Sequence, residues 1–198
     1  MFPHFEPPHC KDEYYALLDR LSDLRRKAVE KPLRLPHDLM VVDQCTDPRP
    51  PDGTTEILND PQLPSQHQPK QRARVFPEFS SPEDMQVVLV EAIQTGEGGW
   101  AQVYAGRFTI GTRSCDVIVK LYQECMFRKP YGSEFYGMDK GEWPSATEVA
   151  QCEAWAYQML EQYQGSTIPY SYGFYNVTSF SSIFPRIDLC RLTVPAPK

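Results

Sequence analysis

The sequence predicts an α+β fold: a twisted antiparallel sheet with one major helix, preceded by an amphipathic helix and a proline-rich arm. Three observations predict it. The first is a break in composition. Thirteen of 19 prolines fall in residues 1–82, whereas ten of 11 glycines and 18 of 24 aromatic residues follow that boundary. Only the later part, about 116 residues, has the texture and size of one small packed domain. The second is a set of short Val/Ile-rich runs separated by glycine-containing turns. The third is a helical segment that opens with Ser145 and Glu148 at capping-box spacing and is followed by Gly165.

The elements follow in order. Lys11–Lys31 reads as a helix, because Tyr14, Leu17, Leu18, Leu21, Leu24 and Ala28 form one apolar stripe. Asp12 and Glu13 suit the positive end of its dipole, Arg25, Arg26, Lys27 and Lys31 the negative end, and Pro32 stops it. The stripe is expected to dock on the domain, with a protein partner as the alternative. Residues 1–43 form this N-terminal segment, and 44–84 read as a proline-rich, disordered linker. The domain spans 85–192. Strands are expected at Met85–Gln94, Ala101–Phe108 and Val117–Tyr122, with a hairpin turn over Thr109–Cys115. Glu124–Glu142 reads as a loop and Ser145–Tyr163 as the major helix, with Val149, Cys152, Ala156, Met159, Leu160 and Tyr163 along one side. Pro169–Thr178 and Ser182–Leu192 each supply a strand, and 193–198 form a tail.

Charge and cysteine usage exclude several classes. The net charge of −6 argues against a nucleic-acid partner. No apolar run is long enough for a membrane span, and no secretory signal is visible at the N-terminus. The six cysteines show no CxxC or zinc spacing and read as reduced thiols of a cytoplasmic or nuclear protein. The four histidines, at 4, 9, 37 and 67, have no helical ligand spacing, so no metal site is expected.

Chemistry concentrates in Gly96-Glu97-Gly98-Gly99-Trp100-Ala101-Gln102-Val103, placed between two strands. Glycines there let the backbone turn tightly and bring N–H groups close to phosphate oxygens. Val117-Ile118-Val119-Lys120 then puts a lysine in a strand, on the same face as Ile118. A lysine among apolar residues needs a negative partner, phosphate or carboxylate. The helix offers Glu148, Glu153 and Glu161. Helical angles turn Glu161 away from the apolar stripe and slightly favour Glu148, which also fits the capping box.

A glycine-rich hairpin, a lysine-bearing strand and a glutamate-bearing helix, in that order, resemble the N-terminal lobe of a protein kinase. Gln164-Gly165-Ser166-Thr167-Ile168-Pro169 and Tyr172-Gly173-Phe174 extend the resemblance, in particular to kinase-like proteins of fungi. It covers residues 87–174. The resemblance implies an ATP-binding lobe. Gly96 and Gly98 match the first two glycines of the family loop, and Trp100 the aromatic at its tip. Ala101 replaces the third glycine, and Val103 matches the valine over the adenine. Lys120 matches the phosphate-contacting lysine, and family spacing selects Glu153 as its partner, with Glu148 second. Ile118 stands where the family has alanine and narrows the adenine site. Residues 126–143 read as an insertion.

The family's second lobe carries H-R-D and D-F-G motifs, which position the substrate hydroxyl and hold Mg²⁺. Neither occurs in these 198 residues; Asp188-Leu189 after Arg186 only imitates the first. No catalytic residue is therefore assigned, Mg²⁺ binding is not expected without a second lobe, and the chain reads as a truncated pseudokinase-like lobe. Two other readings stand beside it. One is a non-catalytic interaction protein, or a decayed fragment, presenting helix 11–31 or the exposed lobe face to a protein partner. The other is a dinucleotide-binding enzyme, since Gly96-x-Gly98-x-x-Ala101 is followed about twenty residues on by Asp116. That fingerprint requires a helix after the glycines.

Overall fold

The computed structural model describes residues 10–30, 33–45, 48, 50, 85–96, 99–127, 145–179 and 187–194. It is an α+β fold with a curled antiparallel sheet and a few helices. The strands are β1 (His37–Cys45), β2 (Met85–Gln94), β3 (Ala101–Ile110), β4 (Arg113–Tyr122), β5 (Tyr170–Ser179) and β6 (Ile187–Val194). The helices are α1 (Lys11–Glu30) and α2 (Ala146–Met159), with single 3₁₀ turns at Glu124–Met126 and Glu161–Tyr163.

Alternation along the strands decides what lies inside. Val87 and Leu89 of β2, Tyr104 and Phe108 of β3, and Val117, Val119 and Leu121 of β4 are all at most 1% exposed. Each is two residues, or a multiple of two, from its neighbours on the same strand, as a pleat with one buried face requires. The β3–β4 hairpin is joined by Gly111 and Thr112 alone, because Ile110 pairs with Arg113. Gly111 has φ +55° and Thr112 does not have a positive φ, which is the pattern of a II′ hairpin turn. The turn is thus shorter than the Thr109–Cys115 segment expected from sequence; those flanking residues extend the strands.

The sheet closes on itself in the order β1-β2-β3-β4-β6-β5. β1 was not anticipated. Leu39 and Val41 face the core, and the strand pairs with β2 on one side and β5 on the other. Gln44 and Cys45, expected to begin the linker, continue this strand and pair with Tyr175 and Phe174. Closure satisfies backbone groups that an edge would leave open. The proline-rich stretch 51–84 lies outside the described residues. At the other end β6 runs to Val194, so Thr193 and Val194 belong to the sheet rather than to a tail.

α1 is docked, as its stripe suggests. Leu21 packs with Cys125 and Met126 of the 3₁₀ turn after β4, flanked by Leu17 and Leu24, while Ala28 joins the barrel core. α2 begins where expected. Ser145 Oγ accepts from Glu148 N–H and Glu148 Oε2 from Ser145 N–H, a complete capping box. The helix stops at Met159, before the expected Tyr163, and its inward face differs from the expected stripe. Ala146 and Ala150 are fully buried against Tyr122, Phe127 and Phe174, whereas Met159 and Leu160 are 45% and 39% exposed. Small alanines let the helix lie close to the sheet, so apolar bulk alone misjudges its phase.

Beyond α2, Gln164 bridges the helix end to β5: its Nε2 donates to Tyr157 C=O and its Oε1 accepts from Ser171 N–H. Gly165 has φ +77°, and a Cβ there would overlap the Tyr170 ring, so glycine is required twice over. No helix among the described residues is long and apolar enough to cross a membrane.

Candidate functional site

α2 lies over β4, β5 and β6, and the outer face of β3 continues beside it. Alternation places Ala101, Val103 and Ala105 on this face of β3, and Ile118, Lys120 and Tyr122 on that of β4. Across the hairpin Val103 is opposite Lys120, Ala105 opposite Ile118, and Ala101 opposite Tyr122. On α2, Ala146, Ala150, Glu153 and Tyr157 fall within about 40° of one line at about 100° per residue. Two of these are the buried alanines, so Glu153 is carried to the sheet on the same line.

Lys120 Nζ donates to Glu153 Oε1 at 2.7 Å. The two side chains are 36% and 21% exposed, so the pair is sheltered but reachable from solvent. Glu148 faces away and serves the cap. The angular argument that favoured Glu148 fails because the apolar stripe it was measured from is not the face that α2 buries. Tyr157, one turn beyond Glu153, is an addition that the sequence reading missed. Burial raises its phenol pKa, and the neighbouring Glu153 charge raises it further. The available signal was the i, i+4 spacing from Glu153.

α2 is held in place at its start as well as at its middle. Glu124, in the 3₁₀ turn just after β4, accepts from Ala146 N–H at 2.8 Å. That amide is among the first helical N–H groups, which have no partner within the helix and favour a carboxylate. Strand β4 and the turn that follows it therefore grip α2 twice, through Lys120 and through Glu124.

The β2–β3 hairpin carries the glycines. Gly96 has φ +121°, and nothing lies within 4 Å of a Cβ built there, so backbone conformation alone calls for glycine. β2 has register shifts at Leu89/Glu91 and Ala92/Gln94, which bend its end toward the turn. Gly98 lies outside the described residues. Trp100 is 60% exposed, and its ring lies 6.0 Å from that of Phe127, tilted by 44°. Ala101 is the first residue of β3 and packs on the cluster beneath α2.

The dinucleotide reading fails here, since the residues after the glycines form β3 and not the helix that fingerprint needs. Asp116 is in mid-strand with its side chain 84% exposed, 3.8 Å from Arg107. Asp188 and Leu189 are also strand residues, in β6, with Leu189 paired to Tyr122. Arg186 lies outside the described residues, as do His4, His9 and His67. No family model matches the sequence, and no curated protein or solved structure is significantly similar to the chain.

Proposed function

We propose that this chain is a kinase-like nucleotide-binding lobe that does not transfer phosphoryl groups on its own. The observation that carries the reading is the Lys120–Glu153 ion pair, formed between the strand after a glycine hairpin and the helix beyond it. In protein kinases a strand lysine paired with a helix glutamate is required for activity, and the lysine contacts the ATP phosphates. Val103 lies opposite Lys120 across the hairpin, and in this reading it meets the base. Ile118, on the same face, narrows that space.

These residues fit the phosphate-contacting part of an ATP site. They do not fit a Mg²⁺ site of that family, because the D-F-G aspartate has no counterpart in the sequence. The H-R-D aspartate is missing too, so neither metal neutralisation nor positioning of the attacking hydroxyl is provided. The negative net charge supports neither a nucleic-acid partner nor a general anion-binding surface. A titration with a fluorescent ATP analogue tests the reading. Binding that is weakened at least about tenfold by Lys120→Met is expected, roughly the loss of one charge-assisted contact. Equal binding by both proteins removes Lys120 from the site.

A further inference from the structure

Three elements, α1, α2 and the glycine hairpin, converge on four consecutive residues, Glu124-Cys125-Met126-Phe127. Glu124 accepts the Ala146 N–H at the start of α2. Cys125 and Met126, 9% and 2% exposed, pack against Leu21 of α1, with Leu17 and Leu24 beside them. Phe127, 3% exposed, joins Ala146 and Ala150 in the cluster under α2, and its ring also lies 6.0 Å from Trp100 of the glycine hairpin. The segment begins four residues after Lys120, with only Leu121, Tyr122 and Gln123 between. It therefore cannot shift without disturbing the lysine, the helix and the hairpin together.

We propose that residues 124–127 are a coupling node through which the docking of α1 sets the position of α2, and with it the Lys120–Glu153 pair. α1 makes no contribution of its own to the charged pair; it acts through the turn. The physical basis is that each contact is short-range and is made by one of four consecutive residues, so the covalent chain ties them together. Ala146 and Glu153 are seven residues apart, roughly 10.5 Å along a rigid helix. A displacement at the helix start is therefore delivered to Glu153 undiminished. Glu124 is a positioning residue in this scheme, and the N-terminal helix is an intramolecular control element. The device concerns the geometry of the ion pair and stands whether or not the ligand of that pair is a nucleotide.

The test uses the full chain and two readouts that do not depend on a ligand. The first is amide hydrogen exchange in α2 relative to the β3–β4 hairpin, which reports local opening separately from global unfolding. The second is the coupling between Lys120→Met and Glu153→Gln, measured as a double-mutant cycle in denaturant unfolding. Glu124→Ala and, separately, Leu21→Ala are expected to speed exchange across Ala146–Glu153 about tenfold more than in the hairpin, and to lower the Lys120–Glu153 coupling by about half. Glu124→Gln keeps an acceptor for the Ala146 N–H and is expected to restore most of both. If Leu21→Ala accelerates α2 and hairpin amides by the same factor, or leaves the coupling intact, α1 does not control the pair and the proposal is overturned. If Glu124→Ala leaves α2 protection unchanged, the node is likewise refuted. Failure of the wild-type protein to bind the fluorescent ATP analogue defeats the nucleotide reading alone.

Discussion

The inside of the barrel and the outer face of β3 and β4 are built from the same strands by opposite rules. Inside, Val87, Leu89, Phe108, Val117, Val119 and Leu121 are essentially dry, and the polar pair among them satisfies itself: Tyr104 donates to Gln102 Oε1 at 3.1 Å. Outside, one residue along on each strand, Ala101, Val103, Ala105, Ile118 and Lys120 are only partly covered. The interior tolerates no unpaired charge because water is absent. The outer face keeps a charged pair that solvent can reach, and it admits α2 closely only where the helix presents alanine. The difference separates the part of the molecule that holds the fold from the part that is available for chemistry.

The sharpest way to break the comparison is to damage one side and watch the other. Phe108→Ala, in the interior, is expected to cost about 3–5 kcal/mol in denaturant unfolding, the usual range for emptying a buried aromatic site. On the outer face, Lys120→Met is expected to cost only about 1 kcal/mol, because a half-exposed ion pair contributes little net stability. Lys120→Met combined with Glu153→Gln should cost less than the sum of the two single changes, since the unpaired carboxylate is removed as well. If the outer substitution proves as damaging as the inner one, the division of labour between the two faces is wrong.

A further effect appears only in alkali. Burial pushes the Tyr104 phenol from 10.0 up to about 12. The neutral form is therefore favoured by folding. Its contribution is fully present below pH 10 and is lost as the pH rises from 10 to about 12. Tyr104→Phe is expected to flatten that part of the pH–stability curve. An unchanged alkaline slope would place the phenol in contact with water and weaken the description of the interior.

Much of the fold was legible because period-2 alternation and capping chemistry are local. Met85–Gln94 needed only its own residues to be read as a strand, and Ser145 with Glu148 needed only each other to mark the start of α2. The candidate pair was half legible. Lys120 stood out as a charge in an apolar strand, but the choice between Glu153 and Glu148 rested on family spacing, because the helix phase was misread from its large residues. Glu124 belongs to no motif, and Tyr157, although it lies in the stretch that carries the kinase resemblance, has no site role there; each matters through what lies across from it.

The sequence by itself determined that Ile118 and Lys120 share one face of their strand, where α2 begins, and that Lys120 would need a negative partner. These depend on interactions within a few residues of one another. Tertiary structure alone decided that His37–Cys45 closes the barrel, that Ala146, Ala150 and Glu153 form the face of α2 turned to the sheet, and that one short turn joins α1, α2 and the glycine hairpin. Each of those outcomes depends on the element opposite: an unpaired strand edge takes the strand that can reach it, and a helix takes the rotation that lets it lie closest.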